Sequence, residues 1–180
     1  MSAFDNVIGD KLACAELVYS LARGLDRCDE ALLRSLFHDD ATDDHGGFKG
    51  SAADFVTWAL SLLVQMERTQ HCISNVLINV DGDRAVGESY FVAHHDLADA
   101  EGNPAHMIAA GRYLDRFERR DGTWKISHRL AVFDWNSWQP RTDRWDRSPD
   151  GPRTFGQRGA ADALYPHLAT LKERAGHADK

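Results

Sequence analysis

The chain has 180 residues, of which 43% are hydrophobic and 27% are charged, a composition that suits one folded domain and excludes a disordered chain. Its formal net charge of −7 opposes nucleic-acid binding, because affinity for a polyanion comes mainly from Lys and Arg. No apolar run approaches the ~20 residues that a membrane span needs, and the opening residues lack a signal-peptide pattern, so we expect a cytoplasmic protein with neither a membrane nor a nucleic-acid partner.

The three cysteines, Cys14, Cys28 and Cys72, have no C-x-x-C spacing, which predicts reduced structural thiols rather than disulfides. The histidines and acidic residues likewise show no spacing that is typical of a metal site. We therefore predict that the protein uses no metal and no cofactor.

Apolar residues recur at helical spacing near the start of the chain. Between Asp5 and Asp26 they step by three and four, which predicts an amphipathic helix that ends near Gly24. The apolar stripe of this helix comprises Ile8, Leu12, Ala15, Tyr19 and Ala22, widened by Val18, Leu21 and Leu25. A short second helix is predicted to follow with Asp29 as its N-cap.

A third helix is predicted after Ser51 and Asp54, which resemble a capping box. The apolar residues that follow at helical spacing are Phe55, Trp58, Ala59, Leu62, Leu63 and Met66. The acidic, glycine-containing segment 38–50 before this helix is predicted to be a loop or an edge strand.

From Thr69 onward the apolar period changes to that of strands. Turn signals around Asp81-Gly82, Gly102-Asn103 and Asp121-Gly122 divide the region into four runs of strand length. Helices followed by hairpins predict an α+β fold, with the helices on one face of an antiparallel meander. Residues 1–136 are predicted to form the main part of the domain, and residues 137–180 a covering loop and a C-terminal helix of the same domain.

Asp26 and His71 are the first candidates for chemistry. Asp26 ends the first helix, where the helix dipole disfavours a carboxylate, so a buried Asp26 would need a partner; alternatively, it is a solvated turn residue. By the strand period His71 shares a face with Ile73, Asn75 and Leu77, where it either points into a pocket or is an ordinary structural histidine.

A second group of candidates lies on the later strands. Arg129 is either the structural partner of an acid such as Asp115 or a donor to an anionic oxygen, because a buried arginine is costly unless paired. Two further strand faces mix aromatic and small residues, which suits either a pocket for a flat hydrophobic ligand or an ordinary core. These faces comprise Phe91, Ala93 and His95 on one strand and Gly111, Tyr113 and Asp115 on the next.

The stretches GLDRCDEALLRSLFHDDA, RTQHCISN, GRYLDRFERRDGTWKISHR and FDW together resemble the nuclear transport factor 2-like superfamily, specifically its SnoaL-like branch. The resemblance covers about residues 5 to 136. It implies a cone-shaped α+β barrel in which three N-terminal helices pack on a curved antiparallel sheet. It also implies that Asp26 pairs with His71 as the catalytic base, and that Arg129 belongs to the site.

With this family as a guide, we predict a cofactor-independent, dehydratase-like lyase that acts on a hydrophobic ring-containing small molecule. The predicted substrate-binding residues are Leu21, Trp58, Phe91, Ala93, Tyr113, Asp115 and Phe133. Leu21 stands where some dehydratases have Tyr or Lys, so the group that assists the leaving group must come from elsewhere, such as Tyr113 or Arg129. The alternatives are an isomerase, a C–C lyase that releases an aldehyde, and a binding protein without chemistry. The resemblance also implies a homo-oligomer, with a trimer favoured over a dimer.

Overall fold

The computed structural model of the protein describes residues 3–175, which contain four α-helices and six β-strands. The helices are α1 (Ala3–Arg27), α2 (Glu30–Ser35), α3 (Ala52–Leu63) and α4 (Leu164–Ala175). The strands are β1 (Phe37–Asp44), β2 (Lys49–Ser51), β3 (Arg68–Asp81), β4 (Arg84–Ala98), β5 (Pro104–Arg120) and β6 (Thr123–Pro140). The predicted α+β class is confirmed. None of the described helices is long and apolar enough to cross a membrane.

Both predicted helix caps are present. The Asp29 side chain accepts a hydrogen bond from the backbone N–H of Leu32 at 3.0 Å, which satisfies an otherwise unpaired donor in the first turn of α2. The Ser51 hydroxyl accepts from the backbone N–H of Asp54 at 3.1 Å and donates to its carboxylate at 2.7 Å. These caps fix where α2 and α3 begin.

The six strands form one curved, open sheet in the order β2-β1-β6-β5-β4-β3. The predicted antiparallel meander is β3 to β6 and is confirmed. The prediction of a loop or edge strand for residues 38–50 was wrong for β1, which lies between β2 and β6 and pairs in parallel with β6. That pairing joins segments almost ninety residues apart in the sequence, so no local sequence pattern predicts it.

The buried stripe of α1 differs from the predicted one. Its fully or nearly buried residues are Cys14, Val18, Leu21, Ala22 and Leu25. Ile8, Leu12 and Tyr19 are instead 51%, 60% and 45% exposed. The helix is thus rotated by about one residue relative to the prediction. It also continues past Gly24 to Arg27.

Irregularities in pairing redirect side chains in β3 and β6. A register shift between Ser74 and Leu77 reverses the alternation of β3, and Asn75 there has a positive φ of 49°. Leu77 is therefore 64% exposed, so the prediction that Asn75 and Leu77 continue the face of His71 was wrong. A comparable shift near Ser127 keeps both Ile126 and Arg129 buried.

The chain divides into two compact units after Arg141. In the first unit the main core fills the space between the helices and the sheet, around Leu33, Phe55 and Ile126. A separate, smaller buried cluster comprises Phe91, Ala93, Tyr113 and Ala131. In the second unit, Asp162 accepts from the backbone N–H of Leu164 at 3.0 Å, at the start of α4. The predicted boundary after residue 136 stays a prediction.

Candidate active site

Asp26 and His71 form a close pair between the last turn of α1 and strand β3. Oδ1 of Asp26 lies 2.7 Å from Nδ1 of His71, and Oδ2 accepts from the backbone N–H of His71 at 2.9 Å. The two side chains are only 9% and 8% exposed. Asp26 is therefore not the solvated turn residue of the alternative interpretation.

This geometry sets the proton arrangement on the imidazole. A carboxylate next to Nδ1 favours the tautomer with the proton on Nδ1, which leaves the Nε2 lone pair free to accept a proton. The carboxylate would also stabilise the imidazolium that forms after proton uptake. The pair thus has the properties of a general base and its orienting acid.

An open cavity of about 250 Å³ adjoins the pair. It lies between α1 and β3, and its lining residues are Tyr19, Ala22, Arg23, Asp26, Arg27, His71 and Ile73. The two arginines give this rim positive charge, which suits a ligand with electronegative substituents.

His95, on β4, lies edge-on to His71 with ring centroids 5.6 Å apart. Burial and, to a smaller extent, the neighbouring His71 lower the pKa of His95 to about 4. At neutral pH His95 is therefore an uncharged neighbour of the proposed base. Its Nδ1 is buried without a hydrogen-bond partner among the described residues.

Arg129 and Asp115 form a fully buried, two-pronged ion pair. Nε and Nη2 of Arg129 each donate to one carboxylate oxygen of Asp115 at 2.7 Å, and the side chains are 0% and 1% exposed. The structural alternative for Arg129 is therefore realised, whereas its predicted catalytic role stays a prediction. The remaining nitrogen, Nη1, has no hydrogen-bond partner within the described part of the chain.

Aromatic side chains form a wall around this ion pair. The guanidinium of Arg129 lies 4.0 Å from the ring centroid of Tyr113, and that ring stacks on Phe91 at 4.4 Å. Burial raises the pKa of Tyr113, so its hydroxyl holds its proton at neutral pH. Phe91 in turn meets Phe133 edge-on at 5.8 Å.

The other predicted substrate-binding residues differ in burial and in distance from the Asp26–His71 pair. Ala93 pairs with His71 across β3 and β4 and lies in the same small cluster as Phe91. Leu21 is fully buried in the main core, and half-buried Trp58 packs against that core. Phe133 is 50% exposed, at the outer end of the aromatic wall.

Sequence reasoning missed two polar residues on β1 and the turn after it. Asp43 is 1% exposed, and His45 lies next to it with Nδ1 3.3 Å from Oδ1 of the carboxylate. The available signal was alternation, because Ala41 and Asp43 both face inward in β1. An acidic segment without large apolar residues conceals that signal.

No group of three or more metal-binding side chains occurs within residues 3–175.

Comparison with known proteins gives the family: the model of the SnoaL-like domain matches residues 6–130. The chain belongs to the SnoaL-like family. The match spans both members of the Asp26–His71 pair and the Arg129–Asp115 pair.

Relatives of this SnoaL-like chain include lyases. This chain is 30% identical over 136 residues to hexachlorocyclohexane dehydrochlorinase 1 of Sphingobium indicum. The alignment covers 71% of this chain and 82% of that protein. The solved dehydrochlorinase LinA-type3 of Novosphingobium barchaimii superposes with a TM-score of 0.68 at 24% identity, covering 81% and 99% of the two chains. A protein assigned as a scytalone dehydratase from Novosphingobium aromaticivorans gives a TM-score of 0.66 at 20% identity, covering 83% and 99%. The fold of the SnoaL-like domain is thus shared with these proteins.

Proposed function

We propose that this protein is a cofactor-independent lyase that eliminates water or a halide from a hydrophobic, ring-containing small molecule. The observation that carries the proposal is the contact between Asp26 and His71, which leaves Nε2 of a nearly buried imidazole free as a base beside an open cavity. The kinship with a dehydrochlorinase supports the same reaction class.

In the proposed step, Nε2 of His71 removes a proton from a carbon that is acidified by a neighbouring group. The electron pair of the broken C–H bond forms a new C=C bond as the leaving group departs from the adjacent carbon. Asp26 stabilises the resulting imidazolium through its bond to Nδ1. Such a general base commonly contributes ~10²- to 10⁴-fold to the rate.

The substrate class is inferred from the residues near the Asp26–His71 pair. Phe91 and Tyr113 are stacked and buried, Phe133 extends this aromatic group to the surface, and the small residue Ala93 pairs with His71. Flat or cyclic apolar molecules bury well against such surfaces. A cyclohexane-sized ring with electronegative substituents is the first substrate to test.

The test is incubation with hexachlorocyclohexane and, separately, with β-hydroxycyclohexanone, followed by mass spectrometry. We expect loss of hydrogen chloride or of water, and His71→Ala should abolish that loss. His128→Gln is the matched control, because His128 bonds Thr42 on the outer side of the sheet. A product with the same mass as the substrate would indicate an isomerase. A smaller carbonyl fragment would indicate a C–C lyase, and recovery of the bound ligand unchanged would indicate a binding protein.

We also propose that the protein assembles as a homo-oligomer, with a trimer favoured over a dimer. The sheet has two open edges, β2 and β3, and exposed apolar residues on its outer face. Assembly would cover part of this surface.

A further inference from the structure

A second histidine–carboxylate pair lies on β1 and the turn that follows it, distant in sequence from the first. Nδ1 of His45 lies 3.3 Å from Oδ1 of Asp43, and the side chains are 16% and 0% exposed. Nδ1 and both carboxylate oxygens lack a hydrogen-bond partner among the described residues. The contact is therefore that of a charge pair rather than an aligned hydrogen bond.

Asp43 is a buried carboxylate whose close neighbours include a histidine and an arginine. A buried carboxylate without hydrogen-bond donors is costly, so it requires a neighbouring cation. His45 lies at ion-pair distance and would supply that charge when its ring is protonated. Arg129 is a second cation near Asp43, which it faces in the pairing of β1 with β6. Two of its hydrogen-bond donors already bind Asp115.

The ring of His45 lies against the aromatic side chains around the Arg129–Asp115 pair. It stacks on Phe55 at 4.9 Å and lies 5.9 Å from Tyr113 and 5.8 Å from Phe133, measured between ring centroids. Trp58 is also near, at 6.2 Å. These contacts fix the plane of the imidazole. Because Nδ1 lies beside the carboxylate of Asp43, the other ring nitrogen, Nε2, lies on the side away from that carboxylate.

Tyr113 connects this pair to the first one. Its ring stacks on Phe91, which pairs with Ile73, two residues from His71. The carboxylates of Asp43 and Asp26 both raise the pKa of Tyr113, so both lie within electrostatic reach of one phenol. The two histidine–carboxylate pairs thus flank one aromatic surface.

The other polar groups of this interior are poor acids. Tyr113 holds its proton because burial raises its pKa, and an arginine cannot be deprotonated in proteins. His95 is uncharged at neutral pH, since burial lowers its pKa to about 4. His45, beside an unsatisfied buried carboxylate, is the described group that is best placed to carry and release a proton.

We propose that His45 is a second catalytic residue, a general acid that protonates the departing oxygen, with Asp43 as its positioning residue. This inference rests on the proposed lyase function. As His71 takes the proton from carbon, the C–H electron pair becomes the C=C bond and the C–O bond breaks. The oxygen leaves as water with the proton from Nε2 of the His45 imidazolium. Solvent then returns a proton to His45 and removes one from His71.

The test compares two substrates of one skeleton, β-hydroxycyclohexanone and β-chlorocyclohexanone. Chloride departs without a proton, whereas hydroxide needs one, so a general acid matters for the hydroxyl substrate alone. His45→Phe, which keeps the ring packing, should slow loss of water by at least ~10²-fold and change loss of chloride by less than about threefold. His45→Gln and Asp43→Asn should show the same selectivity, and His128→Gln should change neither rate.

An equal loss with both substrates, or no loss with either, would overturn the inference and make His45 structural. Failure of the proposed function looks different, because the unsubstituted protein would then release neither water nor chloride, or His71→Ala would still release both. A second measurement is independent of turnover: ¹⁵N NMR of histidine-labelled protein should show a doubly protonated His45 ring at neutral pH. Asp43→Asn should remove that signature, and a neutral His45 ring in the unsubstituted protein would contradict the proposal.

Discussion

His71 bonds to the carboxylate of Asp26 through both its backbone N–H and its ring nitrogen Nδ1, at 2.9 Å and 2.7 Å. The backbone contact fixes β3 against the end of α1, and the ring contact orients the imidazole. One carboxylate thus positions the proposed base in both respects.

Asp26→Asn should preserve the fold but lose most of the activity. An amide can donate to Nδ1, which would move the ring proton to Nε2 and block proton uptake there, so kcat should fall by ~10²- to 10⁴-fold. KM should change less, because apolar contacts supply most of the binding. The double variant with His71→Ala should be little worse than His71→Ala alone, since residues that act as a unit are not additive. The rate of chloride release should be measured for both single variants and the double variant. If the rate loss of the double variant equalled the product of the two single losses, Asp26 and His71 would not act as a unit.

His95 should make stability depend on pH. Its pKa is about 4 in the folded protein, below the value of about 6.5 for an unfolded histidine. Between these values the unfolded chain binds a proton that the folded protein does not bind, so the free energy of unfolding rises with pH across this window. The contribution is on the order of 3 kcal/mol, fully present above pH ~6.5 and lost by pH ~4. Urea unfolding at several pH values should show this slope, and His95→Asn should reduce it; an equal slope in the variant would refute the assignment.

Arg129→Met should destabilise the protein strongly. It leaves the carboxylate of Asp115 buried without its two donors, and breaking a buried pair from one side costs about 3–5 kcal/mol. Replacing both partners, Arg129→Met with Asp115→Leu, removes the stranded charge and should cost less than the single change. Unfolding free energies in urea test this order, and a double variant less stable than the single one would disprove the charge argument.

Gly111 should tolerate no side chain. A Cβ there would clash with the backbone carbonyl oxygen of Val132, at the register shift between β5 and β6. Gly111→Ala should therefore cost roughly 1–3 kcal/mol, through strain of the overpacked sheet. Gly9 in α1 is the matched control, since a Cβ there meets nothing within 4 Å and Ala favours the helix by about 1 kcal/mol. Thermal melts should move in opposite directions, and similar shifts would contradict the steric argument.

The proposed assembly should involve the outer face of the sheet. Val86, Tyr90 and Trp135 face away from the helices by strand alternation and are 57%, 41% and 54% exposed. Light scattering at micromolar concentration should give the mass of a trimer or, less favoured, a dimer. Tyr90→Asp should shift the protein towards monomer if this face is buried on assembly. A stable monomer of the unsubstituted protein would rule out the proposal.

Local chemistry explains which parts of the fold were predictable. The caps at Asp29 and Ser51 and the hairpin turns depend on residues close in sequence, and they were read correctly. The parallel pairing of β1 with β6 and the bulge after Ser74 depend on the partner strand, which the sequence does not reveal. The buried face of α1 likewise depends on which side of the helix packs against the sheet, which the sequence does not reveal.

The candidate site shows the same division. The resemblance predicted the pairing of Asp26 with His71, and the interatomic contacts agree with it. The pairing of Arg129 with Asp115 was one of two alternatives and is present in the structure, whereas the role of Arg129 as a donor to the substrate stays a prediction. The inward position of Asp43 follows the alternation of β1, but the acidic composition of the segment conceals it, because burial of an unsatisfied carboxylate opposes ordinary solvation and is tolerated only in a particular tertiary setting.

The location of His71 on an edge strand has a consequence for solubility. β3 pairs only with β4, so its outer backbone groups are open to pairing with a strand of another molecule, a common route to aggregation. The carboxylate of Asp26 already occupies the backbone N–H of His71 on that open side. The same side chain that orients the imidazole thereby interrupts the row of free donors along the edge and hinders another chain from extending the sheet there.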